Sequence, residues 1–146
     1  MSLLHAADAV AADIREHPIT ATRDGLVHAV RHASLLCHLA DRVAADAESR
    51  LISNTALLPS TEILCRATAL LGMALGHYAQ VFDPLLALVM GDQHSVQEQL
   101  DALDHHSSLR VHLANAAKAL TAARTVLETP HSGPSTPPHL PQRRDR

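Results

Sequence analysis

Apolar residues recur at alternating spacings of four and three through one long segment of this 146-residue chain. The positions that keep this spacing are Leu26, Val30, Ala33, Cys37, Ala40, Ala44, Ala47 and Leu51. Such a spacing places all these side chains on one face of an α-helix, and its length of about four heptads predicts packing along a partner helix. The pattern therefore predicts a buried seam that includes Cys37, with small side chains that allow close helix approach.

The remaining apolar segments have the same periodicity, and it predicts an all-α fold. One stripe begins at Leu3 and ends at Ile14, another runs from Leu109 to Leu127, and residues 63–82 are largely apolar. Ala and Leu dominate the composition, and Phe82 and Tyr78 are the only aromatic residues. Strong helix formers without β-branched runs disfavour a sheet. We expect an antiparallel bundle of three long helices plus a short N-terminal helix.

Polar and proline residues mark the expected boundaries of these helices. Ser2 and Thr20 or Thr22 can act as N-caps, and Ser95 with Glu98 fits a capping box. Residues 1–128 are expected to form the bundle domain. The segment from Thr129 to Arg146 contains five of the eight prolines and is expected to be a disordered tail.

Two features inside the helices leave the packing open. Gly72 and Gly76 lie one turn apart and are expected to let a neighbouring backbone come close. In the last helix the apolar stripe changes phase at residues 104–108, which indicates either a stutter in a continuous helix or a true break.

A second apolar patch on the predicted second helix suggests an interaction surface. Leu35 and Leu39 lie away from the seam, and His28 and His32 lead into this patch from one and two turns earlier. When a helix is apolar on two faces, both faces have to be buried against other helices. We therefore expect these four residues to contact a second copy in a homodimer or another helical protein.

The chain is rich in histidine, with 12 in the sequence, but no metal or cofactor site is expected from the pattern. His28 and His32 have a spacing suited to a metal pair, yet the positions of His38 and Cys37 on the helix do not converge with them. Asp13 and His17 form an i, i+4 pair that is interpreted as surface electrostatics.

Charge and cysteine usage constrain the possible partners and the compartment. A formal net charge of −3 disfavours duplex nucleic acid, whose phosphates require many cations. The apolar run near residues 67–82 is too short and too polar to be expected to span a membrane. Two cysteines without a CxxC pair, and an N-terminus unlike a signal peptide, lead us to expect a cytoplasmic protein.

Two functional classes follow from these patterns. Arg23 with His28, and Arg31 with His38, resemble the Arg-x(4–6)-His motif of HEPN-type RNases. That resemblance implies a helical bundle that processes nucleotides or RNA, with an arginine contacting phosphate and a histidine acting as general acid or base. The other class, which the absence of a catalytic constellation favours, is a non-catalytic protein that acts by association.

Overall fold

The computed structural model describes residues 1–54 and 56–129, and these form five helices without a strand. The helices are α1 (Leu3–Glu16), α2 (Arg23–Ser53), α3 (Pro59–Ala79), α4 (Phe82–Met90) and α5 (Val96–Glu128). The predicted all-α bundle, with three long helices and a short N-terminal one, is confirmed. The predicted tail lies outside the described residues beyond Thr129.

The four longer helices form an antiparallel bundle in which each packs against its neighbours. Two contacts show that helices α1 and α2 are antiparallel. Arg42 donates to the carbonyl of Met1 near the start of α1, and Arg31 donates to Asp13 near its end. Helix α3 packs between α2 and α5, and α1 closes the bundle against α2 and α5. The short helix α4 covers the first half of α5 and the start of α2.

Side-chain caps fix where three of the helices begin, as the sequence predicts. Ser2, Thr22 and Ser95 each accept a hydrogen bond from the backbone N–H three residues later. At α5 the carboxylate of Glu98 accepts in return from the backbone N–H of Ser95, which completes the capping box. The hydrogen bonds that this carboxylate accepts from the backbone N–H groups of Ser95 and His94 lower the pKa of Glu98.

Two apolar clusters stabilise the bundle. The larger one lies between α1, α2, α3 and α5, and its largest fully buried side chains include Leu36, Leu71 and Val43. The smaller one joins Ala29 of α2 to Leu85 and Leu88 of the α4 region and to α5. Helices α1 and α3 therefore pack around the larger cluster. The N-terminal end of α5 lies at the smaller cluster, where α4 is its main contact.

The predicted seam of α2 is wrong in its register. The stripe that faces the core consists of Ala29, His32, Leu36, Leu39, Val43 and Ala47. Of the predicted seam, Val30, Cys37 and Leu51 are exposed and only Ala47 is buried. Two stripes of similar spacing lie on this helix, and the packing of the neighbouring helices buries the one that contains Leu36, Leu39 and Val43.

The predicted interaction surface is also corrected, because part of it lies inside the chain. Leu39 is 2% exposed and His32 is 0% exposed. Leu35 and His28 are partly buried, and Leu35 packs against the larger cluster. Helix α1 contributes Ala6, Ala7 and Val10 to that cluster, so the short N-terminal helix and α5 provide the cover that we expected from a partner.

Helix α5 is continuous through residues 104–108, so the change of phase is a stutter and not a break. Downstream of it, Leu109 and Leu120 are buried; upstream, Leu100 and Leu103 are exposed. The apolar stripe after the stutter therefore faces the core, and the stripe before it faces solvent.

The expected close approach of a neighbouring backbone at Gly72 and Gly76 is wrong, since a Cβ added at either position would meet nothing within 4 Å.

One stretch of the described chain, Pro59–Met90, is long and apolar enough to cross a membrane by length and composition alone. It comprises α3 and α4, and 33% of its most apolar window is buried within the fold. A core helix meets the same criterion, and α3 contributes six buried residues to the bundle.

The register of α2 can be tested with one matched pair of substitutions. Leu36→Ala removes a buried side chain and should lower the free energy of unfolding by about 2–5 kcal/mol through lost burial and a cavity. Val30→Ala, six residues earlier on the same helix, should change it by less than about 0.5 kcal/mol because Val30 is exposed. Urea unfolding followed by circular dichroism measures both. A larger loss of stability for Val30→Ala than for Leu36→Ala would show that the predicted seam faces the core.

Candidate functional site between the first two helices

Titratable side chains gather where α1 ends and α2 begins. Asp13 lies in the last turn of α1 and His17 is its C-cap residue, while His28 and His32 occupy the first turns of α2. Because the two helices are antiparallel, Asp13 comes to face His32 and His17 comes to face His28. Two i, i+4 pairs thus oppose each other across one helix interface.

The connection between the helices lies tightly against α2, and a glycine makes this possible. A Cβ at Gly25 would come 1.7 Å from the carbonyl oxygen of Thr20. Only glycine therefore allows the segment that follows His17 to fold back against the start of α2. This close approach also brings the carbonyl of Pro18 within 3.2 Å of His28 Nδ1.

Asp13 is the anionic centre of the cluster. The guanidinium of Arg31 donates to both of its oxygens, with Nε at 2.9 Å from Oδ2. His17 Nδ1 lies 3.5 Å from Oδ1, and His32 Nε2 lies 3.8 Å from Oδ2. The hydrogen bonds from Arg31 lower the pKa of the Asp13 carboxyl, so this group is charged at neutral pH.

His32 is a fully buried polar side chain that links three helices. Its Nδ1 lies 2.7 Å from the hydroxyl of Tyr78 on α3, while its Nε2 points towards Asp13 on α1. Burial lowers the pKa of His32 and raises the pKa of Tyr78, so both are neutral at pH 7. His32 Nε2 is buried without a hydrogen-bond partner, which is costly for a polar atom.

His17 and His28 each bond a backbone carbonyl through Nδ1. His17 Nδ1 lies 3.0 Å from the carbonyl oxygen of Asp13, and His28 Nδ1 lies 3.2 Å from that of Pro18. A carbonyl only accepts, so each Nδ1 is the donor. The ring centroids of His17 and His28 are 5.3 Å apart, and those of His28 and His32 are 6.4 Å apart.

Of the four residues predicted to form an interaction surface, the structure brings His28 and His32 into this cluster and places Leu35 and Leu39 in or against the core. Sequence reasoning missed the roles of Asp13, His17 and Tyr78. A signal for the first two was present: the pair Asp13/His17 and the pair His28/His32 are placed symmetrically in sequence about the start of α2, between Thr22 and Arg23. An antiparallel helix pair brings such positions together.

The donor atoms of the cluster do not form a ready-made metal centre. Within residues 1–54 and 56–129, no group of three or more His, Cys, Asp or Glu residues stands close enough to hold an ion without rearrangement. The two thiols, Cys37 and Cys65, are free and exposed.

An apolar cleft lies beside the cluster and shares Tyr78 with it. The cleft separates α1 from α5, has a volume of about 430 Å³, and has Leu36 and Tyr78 among its lining residues. Arg15 and Arg124 also line it, and Arg124 is ion-paired with Asp8. Its size lies within the range of small-molecule sites.

The arginines and histidines that resemble an RNase motif are spread over α2. Arg31 is engaged by Asp13, and His28 donates to the carbonyl of Pro18. Arg23 and His38 are exposed, and Arg23 lines a shallow groove with Leu26 and two valines. The motif residues therefore do not share one cleft among those described.

The hydrogen bond between Tyr78 and His32 should make a measurable contribution to stability. Tyr78→Phe keeps the buried ring but leaves His32 Nδ1 without a partner, so the free energy of unfolding should fall by about 1–3 kcal/mol. Thr125→Val is the control, because it removes an exposed hydroxyl that bonds only within its own helix. Its effect should stay within about 0.5 kcal/mol. Equal effects in urea unfolding would show that the buried bond makes no special contribution.

Comparison with known proteins finds no matching family model, no matching curated protein and no matching solved structure.

Proposed function

We propose that this protein acts without catalysis, by association through an apolar stripe on the first half of α5. The stripe consists of Val96, Leu100 and Leu103, and these side chains are 74%, 51% and 64% exposed. Their spacing of four and three is that of a helix face that packs against another helix. A regular apolar stripe that its own chain leaves uncovered supports a role in binding a partner.

The stripe continues with Val111 at its far end, which gives a contact length of about 22 Å along the helix axis. Helix α4 packs on a different side of this half of α5, where Ala102 and Leu109 contact the smaller cluster. Met90 at the end of α4 is also exposed, close in sequence to the start of the stripe. Together these side chains leave an apolar face uncovered on the N-terminal part of α5.

The charges along α5 favour a second copy as the partner. Glu98 and Asp101 lie in the first half of the exposed segment, and Arg110 lies in the second half. An antiparallel copy would bring these carboxylates of one chain opposite Arg110 of the other. Electrostatic complementarity of this kind favours one orientation of a helix pair. We therefore propose a homodimer, with a different helical protein as the alternative partner.

The alternative function, an HEPN-like RNA- or nucleotide-processing activity, has less support. It requires a free arginine beside a histidine, whereas Arg31 is bound by Asp13 and the other motif residues are spread along α2. We also propose a cytoplasmic location, which two cysteines without a CxxC pair support.

The proposed association predicts a dimer that a charge on the stripe will break. The wild-type chain should be dimeric at micromolar concentration, and the double variant Leu100→Asp/Leu103→Asp should be monomeric, because burying two carboxylates in an apolar contact is costly. Ile52→Asp is the matched control, since Ile52 is exposed but lies at the end of α2. It should leave the dimer intact.

Sedimentation velocity over a range of concentrations measures the outcome. Circular dichroism of both variants checks that the helical fold persists. A wild-type chain that stays monomeric at all concentrations would contradict self-association, and an equal loss of dimer in Ile52→Asp would contradict the assignment to α5.

A further inference from the structure

We propose that the cleft between α1 and α5 binds a small molecule with one aliphatic chain and one carboxylate, such as a medium-chain fatty acid. The carboxylate binds Arg15 at the mouth of the cleft, and the chain occupies its apolar interior. The inference goes beyond the proposed association, because it concerns the second half of α5 and not the exposed stripe on the first half.

Small side chains on both walls create the space in this cleft. Ala11 lines it from α1, and Ala116 and Ala117 line it from α5. Protein interiors are close-packed, and alanine has a single side-chain carbon, so these walls leave volume that larger side chains would fill. The resulting space of about 430 Å³ is open to a ligand from the side of Ala117, which is exposed.

The floor of the cleft is apolar. It contains Leu36, Leu120 and the ring of Tyr78, and all three residues are buried in the core. The Tyr78 hydroxyl already bonds to His32 Nδ1, so it is engaged within the protein and does not serve a ligand. A floor of this kind favours a hydrocarbon chain, because the removal of apolar surface from water is then the source of the binding free energy.

The charged residues that line the cleft are both arginines, and they favour an anion. No carboxylate is among the lining residues. Arg124 is neutralised by its ion pair with Asp8. Arg15 is exposed in the last turn of α1 and makes no ion pair within residues 1–54 and 56–129. The charge complement of an apolar cleft with one uncompensated guanidinium is a chain that ends in a carboxylate.

The hydroxyl of Thr121 adds a second polar group at the mouth. Thr121 is exposed and lines the cleft from α5, one turn before Arg124. A hydroxyl can donate to a carboxylate, whereas the alanines and leucines deeper in the cleft cannot. The polar groups therefore lie at the rim and the apolar groups lie at the floor, which is the distribution that an amphipathic ligand requires.

The volume of the cleft limits the length of the chain. At the packing density of protein interiors one methylene group needs roughly 25 Å³, so a chain of about ten carbons needs roughly 250 Å³. The cleft of about 430 Å³ holds such a chain together with its carboxylate. A lipid with two long chains would need roughly 900 Å³ by the same reckoning, and this excludes it.

The test is isothermal titration calorimetry of the full chain with decanoate, for which we expect one site per chain in the micromolar range. Arg15→Gln should weaken decanoate binding about tenfold or more, because the ion pair is lost. Binding of decan-1-ol, which has the same chain without the charge, should not change in that variant. Arg23→Gln is the matched control, since Arg23 is exposed on α2 and lines a different groove.

A second pair of variants tests the interior of the cleft. Ala117→Leu should weaken decanoate and decan-1-ol alike by about tenfold or more, because the added carbons occupy the space of the chain. Ala45→Leu, at an exposed position in the middle of α2, should leave both affinities unchanged. Circular dichroism checks that both variants keep the helical fold. For the wild type, octanoate should bind about tenfold more weakly than decanoate, since two fewer methylene groups are buried.

Methyl resonances of isoleucine locate the ligand. Decanoate should shift the signals of Ile14 and Ile19, which line the cleft, and leave that of Ile52 at the end of α2 in place.

Three results would overturn the proposal. The first is a wild-type chain that binds no decanoate at millimolar concentration; if Ala117→Leu then also converts a dimer to a monomer, a second copy fills the cleft. The second is equal affinity of the wild type and Arg15→Gln for decanoate. The third is a shift of the Ile52 signal without a shift of the Ile14 and Ile19 signals, which would place the ligand on the surface of α2.

Discussion

The arrangement of the first three helices depends on one buried polar contact, the pairing of His32 with Tyr78. Burial removes an imidazole from water, and the Tyr78 hydroxyl compensates this loss at His32 Nδ1. The contact fixes α2 against α3, while Nε2 at the opposite edge of the ring lies 3.8 Å from Asp13 Oδ2 on α1 without a hydrogen bond. One side chain thereby lies between polar groups of two other helices, which purely apolar packing of alanines would position less well.

The sequence was sufficient for the helices but not for the rotation of α2. Caps such as Ser2 and Ser95 act locally, so their residues alone indicate where a helix starts. By contrast, α2 contains two interleaved stripes with the same four-three spacing, one rich in alanine and one containing Leu36 and Val43. Which of them faces inward depends on the shape of the neighbouring helices. The polar character of His32 made the stripe that is actually buried look like a surface.

The cluster between α1 and α2 was missed for a related reason. Asp13/His17 and His28/His32 are each unremarkable i, i+4 pairs when their helices are considered separately. They become a site only when the connection folds back, and Gly25 permits that fold by leaving room for the Thr20 carbonyl. The position of Tyr78, 46 residues after His32, could not be inferred from spacing at all, because it depends on how α3 packs.

The stutter in α5 divides one continuous helix into two parts with different sources of order. After Leu109 the helix is held by the core, so its amide hydrogens should exchange with solvent only when the whole domain unfolds. Before that point, the capping box at Ser95 and contacts to α4 are the main restraints, and the amides there can exchange through local opening. A partner that covers Leu100 and Leu103 would remove this difference. Association would then be accompanied by a loss of conformational entropy confined to one half of one helix, which lowers affinity and makes the contact readily reversible.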